Sequence, residues 1–170
     1  MEKNKLPQRK HPRLKDYDYS SFGTFFVTIC VANPNVVLST IKTTETNTEH
    51  KLTKYGSIVE DCILKIAIHH PEITIDNYCI MPDHVHILLS RIDNDNKIKH
   101  FSSLMQIVGQ MKRAVSKTIG YSIWQTSFYE EIIEKKEIYD VVYDYITNNP
   151  YVYNNTDDKD CYFTHNIYRK

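Results

Sequence analysis

From Ile73 to Ile92 the sequence reads ITIDNYCIMPDHVHILLSRI, two runs rich in apolar and β-branched residues joined by Met81-Pro82-Asp83. That pattern predicts an antiparallel hairpin, with strands over Ile73 to Ile80 and His84 to Ile92 and a turn between them. Side chains alternate along a strand, so His84 and His86 share one face while Val85 and Ile87 take the other. Two imidazoles therefore stand side by side just after the bend.

The rest of the chain supplies partners for this hairpin. TFFVTICV, Thr24 to Val31, is aromatic and β-branched and reads as a buried strand ended by Asn33-Pro34-Asn35. Ile41 to His50 is polar and suits a small surface hairpin. Between Thr53 and His69 the residues Val59, Cys62, Ile63, Ile66 and Ala67 recur at helical spacing until Pro71 stops the pattern. A second helix is predicted from about Phe101 to Ile119, with Leu104, Ile107, Val108, Met111 and Val115 on one side and Gly120 as its cap. Ser127 to Ile133 can form another strand. Glu137 to about Asn148 forms a last helix, closed by Pro150 because a residue before proline avoids the α region. The order predicts an α+β fold, a ferredoxin-like (RRM-like) antiparallel sheet with helices on one face plus an added C-terminal helix. A single domain is expected over residues 1–170, with a flexible basic arm at 1–15 and a tail from 151.

Composition bounds the function. At 170 residues, 41% apolar and 25% charged, the chain has the balance of an ordinary soluble domain. No apolar run reaches the ~20 residues of a membrane helix, and no secretory h-region opens the chain, so a cytoplasmic protein is expected. Four scattered cysteines form no close CxxC pair, which argues against a zinc ribbon or a thioredoxin-like motif. Net charge is zero but unevenly spread. Lys3, Lys5, Arg9, Lys10, Arg13 and Lys15 crowd the start, and between Asp95 and Glu130 only basic charges occur: Lys97, Lys99, Lys112, Arg113 and Lys117.

Neutral imidazoles on one strand face suit a divalent metal, provided another element completes the shell. The last helix offers Tyr145 and Asn149 at i and i+4, with Tyr145 extending the stripe of Ile138, Val141 and Val142 toward the sheet. A phenol, pKa about 10, needs a metal or base beside it before it attacks a phosphodiester. Taken alone, these residues leave alternatives open: surface or hydrogen-bonded histidines, and a core aromatic at Tyr145. At the level of the whole protein they also leave a binding module or a zinc hydrolase. Trp124, Phe128 and Tyr129 can stack on bases, although packing under the last helix is favoured.

The ordered set HPRLKDYDYSSFGTFFVTICV, LTKYGSIVE, NYCIMPDHVHILL, SLMQIVGQMKRAVSK, IWQTSFYEEII and YDYITNNP resembles the bacterial single-tyrosine HUH transposases, and among them the REP-associated tyrosine transposases, over residues 10 to 150. The resemblance implies His84 and His86 as the metal pair, Tyr145 as nucleophile and Asn149 as a polar third ligand. It further implies Mg²⁺ or Mn²⁺ as cofactor and single-stranded, hairpin-bearing DNA as substrate, with a homodimer or a monomer both compatible. Asp83 stands where relatives often carry asparagine. Lys112, Arg113 and Lys117 become DNA-binding candidates on the acid-free helix, and Arg13 on the basic arm.

Overall fold

A computed structural model describes residues 17–44, 46–92 and 102–153. Among the described residues six strands and four helices follow in the order β1 (Gly23–Cys30), β2 (Ser39–Thr43), β3 (Thr48–Leu52), α1 (Lys54–Leu64), α2 (Ile66–His69), β4 (Ile73–Ile80), β5 (His84–Arg91), α3 (Leu104–Ile119), β6 (Tyr129–Ile133) and α4 (Lys136–Val152). The protein is α+β. β4, β5, β1 and β6 form one antiparallel sheet in that spatial order, and β2 and β3 form the small polar hairpin expected near Ile41 to His50. No described helix is long and apolar enough to cross a membrane.

Both faces of the central strands are covered, so β1 and β5 read as nearly continuous apolar runs. Phe25, Val27 and Ile29 of β1, with Val85, Ile87 and Leu89 of β5, pack against Val59 and Ile63 of α1 and Leu104, Ile107, Val108, Met111 and Val115 of α3. The alternate residues, Phe26 and Leu88, face Val142 and Ile146 of α4 together with Cys79, Met81 and Ile133. Helices on one face therefore describes α1 and α3, while α4 alone covers the other. His84 and His86 lie on that second face, paired with Cys30 and Thr28 of β1.

Two helix boundaries differ from expectation. α3 begins at Leu104 because Ser103 caps it: the Ser103 hydroxyl accepts from Gln106 N at 3.3 Å, and the Gln106 side chain accepts from Ser103 N at 2.8 Å. Gly120 closes the helix at φ 96°, a left-handed conformation that suits glycine. Pro150 does not close α4. The helix runs through it to Val152, so the tail expected from 151 begins later, and Asn149 is helical. Burial of Ile146, Asn149 and Pro150 overrides the local preference, and the last turn still closes through Tyr153 N to Asn149 O at 3.2 Å. Val141, placed in the inward stripe by its spacing, is 51% exposed; Val142 and Ile146 carry that packing.

The first turn of α1 is pinned to the chain before β2. Thr53 accepts from Gly56 N at 3.3 Å and donates to the Val37 carbonyl at 2.7 Å. A Cβ on Gly56 would stand 2.1 Å from the Leu38 carbonyl oxygen, a backbone atom with little freedom to retreat. Gly56→Ala is expected to destabilise the protein by about 1–3 kcal/mol, as overpacking does. A urea midpoint equal to that of the native chain would refute this.

Candidate active site

β5 and the turn before it set the two imidazoles. Both are buried, His84 at 7% and His86 at 2% exposure, and their Nε2 atoms lie 3.1 Å apart. Each ring is held from behind. His84 Nδ1 is 2.7 Å from the Asp83 carboxylate, which can only accept, so Nδ1 carries a proton and Nε2 is the atom that offers a lone pair in the neutral ring. That bond holds the Asp83 carboxyl below its ordinary range against the opposing effect of burial. His86 Nδ1 is 2.9 Å from the Thr28 hydroxyl, and the ring packs on Phe26 with centroids 5.1 Å apart. Burial first, and the neighbouring His84 second, push the His86 pKa well below 6.5, so the ring is neutral at neutral pH.

α4 brings the phenol. The Tyr145 hydroxyl is 3.3 Å from His86 Nε2, and its ring stands edge-on to His86 and Phe26 at centroid distances of 5.3 and 6.2 Å. Asn149 follows one turn later, 6% exposed, and among the described residues no hydrogen bond engages its side chain. Tyr153, a further turn on, packs into the same apolar cluster, and its pKa is raised by burial and by the Asp83 carboxylate. One face of α4 thus runs from His86 at Tyr145 to Asp83 at Tyr153. Asn149 lies between them along the helix.

The spacing of the two imidazoles fits a divalent ion. Two imidazole lone pairs 3.1 Å apart repel unless a proton or cation lies between them. Adjacent corners of an octahedron with bonds of about 2.1 Å are separated by about 3.0 Å. The carboxylate behind His84 is the outer partner that metal-bound histidines typically have. Among the described residues no cluster of three or more His, Cys, Asp or Glu side chains is placed to hold a metal ion.

The basic residues are placed elsewhere. α3 covers the opposite face of the sheet, and the Lys112 ammonium already donates to the carbonyls of Gln125, Thr126 and Ser127 at 2.7, 3.3 and 3.2 Å. It holds the loop before β6 instead of projecting to solvent. Arg113 and Lys117 are exposed on the same helix. Arg113 lines a cleft of about 590 Å³ with Gly109, Ser116, Trp124 and Phe128. Arg13 and the arm lie outside the described residues. Trp124 and Phe128, each 6% exposed, do pack instead of stacking, but in the core beneath α1 and α3 and not under α4.

Sequence reasoning passed over Thr28 and gave Asp83 a place only in the turn. Thr28 had a visible signal, a hydroxyl at an alternating position of an otherwise apolar strand. Glu131 was also missed. It pairs with Phe26 on the histidine face, and burial pushes its carboxyl up to about 7. A raised folded-state pKa means that its contribution to stability is complete below about 4.5 and is lost as pH rises through 7. Glu131→Gln should therefore stabilise the chain at pH 8 by about 1 kcal/mol, allowing for partial exposure, and leave stability at pH 4 unchanged. Equal urea midpoints for the two proteins at pH 8 would contradict this.

No protein-family model matches the chain. It is 28% identical over 165 residues to an uncharacterized Haemophilus influenzae protein, covering 85% of this chain and 89% of that protein. A second protein of the same organism, provisionally named a REP-associated tyrosine transposase, is 25% identical over 142 residues, 78% of this chain and 73% of its own length. Among solved structures, a REP-associated tyrosine transposase bound to a REP hairpin superposes with a TM-score of 0.57 at 23% identity, covering 77% of this chain and 68% of that one. That superposition establishes a shared fold.

Proposed function

We propose that this chain, distantly similar to REP-associated tyrosine transposases, belongs with them among the HUH enzymes and is a DNA-nicking and strand-transfer enzyme acting on single-stranded, hairpin-bearing DNA. The observation that carries this reading is the Tyr145 hydroxyl 3.3 Å from His86 Nε2, beside an imidazole pair whose Nε2 atoms converge. The strand order β4-β5-β1-β6 supports the ferredoxin-like reading of the sheet, with α4 as the added helix that brings the nucleophile to its histidine face.

His84, His86 and the Asn149 amide would hold Mg²⁺ or Mn²⁺. When bound, such an ion supplies charge neutralisation at the phosphate oxygens. Asp83 and Thr28 fix the two rings, and Phe26 keeps His86 and the Tyr145 ring in place. The Tyr145 oxygen forms a bond to phosphorus while the bond to the 3′ oxygen breaks. The proton lost by the phenol is balanced by the one gained at the 3′ oxygen. The products are a 5′-phosphotyrosine and a free 3′-hydroxyl, and because one phosphodiester replaces another the step can run back or pass the strand to a new 3′ end. Tyr145 and both histidines come from one chain, which supports a monomer acting in cis over a dimer that shares its sites. Arg113 and Lys117 offer phosphate contacts on the far face, where only DNA longer than the cleaved segment would reach them.

Incubation of the chain with hairpin-bearing single-stranded DNA and Mn²⁺ should yield a protein band that retains the DNA label on a denaturing gel. Cleavage that leaves no such band would replace this reading with hydrolysis by water.

A further inference from the structure

β4 contains one irregularity, and it lies under α4. The register with β5 slips between Ile75 and Asn77, so that Asn77, and not Asp76, stands opposite Leu88. Leu88 belongs to the face covered by α4, and the slip puts Asn77 on that face; an unbroken ladder would turn it toward α1 and α3. There the Asn77 amide donates to the Tyr143 carbonyl at 3.0 Å and to the Thr147 hydroxyl at 2.8 Å, while that hydroxyl donates to the same carbonyl at 2.9 Å. Tyr143 and Thr147 are the two ends of the helical turn that carries Tyr145. The extra residue, Asp76, accepts from Ser90 Oγ at 2.5 Å and sits beside the Tyr139 hydroxyl, one turn earlier on α4.

Apolar packing is non-directional. Val142 and Ile146 fix which face of α4 meets the sheet, but leave its height along that face weakly determined. One residue of slippage moves a helix 1.5 Å along its axis, and about 1 Å of misplacement can cost a reaction ~10²-fold. A polar grip on one turn removes that freedom.

We propose that Asn77 is a positioning residue for Tyr145: the bulge at Asp76 delivers its amide to the turn of α4 that bears the nucleophile, and this grip sets the hydroxyl against the histidine pair. The inference rests on the reading of Tyr145 given above. Asn77→Asp keeps the shape of the side chain and removes the donor. Its single-turnover rate of adduct formation should fall at least about tenfold, while its Kd for hairpin DNA stays within about twofold of native. Thr147→Ser, which keeps the hydroxyl, should retain the rate, Thr147→Val should lose it, and combining Asn77→Asp with Thr147→Val should cost no more than the worse single change. This pair keeps the test intact if Asn77→Asp folds poorly. A rate within twofold of native in Asn77→Asp, or a loss matched by weaker DNA binding, overturns the proposal. If the native chain forms no adduct, the nucleophile reading fails by itself and amide exchange decides the grip. Faster exchange from Tyr145 to Asn149 relative to α3 in Asn77→Asp upholds it, and unchanged exchange overturns it.

Discussion

Tyr145→Phe is expected to abolish the covalent protein–DNA adduct, lowering its rate of formation by roughly 10⁴-fold or more, because no other group stands in for a removed nucleophile. The substitution is well suited to the test. It removes one oxygen, hydrogen-bonded to His86 Nε2 at 3.3 Å, and keeps the ring that packs edge-on against His86 and Phe26. The cost to stability should stay near 1 kcal/mol, the net worth of such a bond. DNA binding, which does not depend on the phenol oxygen, should remain within a few-fold of native. A denaturing gel reads the adduct and a gel shift reads the binding. If labelled DNA stays attached to the Phe variant, Tyr145 is not the nucleophile. Tyr153, two turns later on the same helix face and beside Asp83, would then be tested next.

Much of this arrangement was legible because alternation has a fixed period. Two histidines two residues apart on a strand must share a face, and a tyrosine and an asparagine four apart on a helix must share a stripe. What could not be read was how the two elements meet. The bulge at Asp76 breaks the alternation of β4 without any glycine or proline to mark it, yet it decides which β4 residues face α4. Pro150 signalled a helix end that tertiary burial overrode. Lys112 carries the same charge as Arg113, one residue away, but three carbonyls of the loop before β6 capture it, and no local pattern shows where a distant loop will lie. Asp83 reads in the sequence as part of a turn; in the fold it is the carboxylate that holds His84 Nδ1 at 2.7 Å.

The histidine pair gives the second large expected effect. Native protein should gain thermal stability on addition of Mn²⁺, since an ion that binds only the folded chain stabilises it by RT ln(1 + c/Kd) at free concentration c. His86→Ala should lose that gain and lower adduct formation by at least about 10²-fold. The ring is buried between Phe26 and Tyr145, so its removal also leaves a cavity costing about 2–4 kcal/mol, and a lower Tm alone would say nothing about metal. The informative quantity is the shift on adding Mn²⁺, measured within each variant. Asp83→Ala separates the two effects further, because Asp83 is about half exposed and meets His84 only at Nδ1, away from the converging Nε2 atoms. It should fold nearly as well as native, yet bind Mn²⁺ about 10-fold to 100-fold more weakly, as expected when an outer partner of a metal-bound histidine is removed. A His86→Ala protein that still gains the native Mn²⁺ shift would place the ion elsewhere. Hairpin binding that ignores both chelator and His84→Ala, with no adduct from the native chain, would instead identify a non-catalytic nucleic-acid module, in which the buried imidazoles share a proton and serve only the packing of α4.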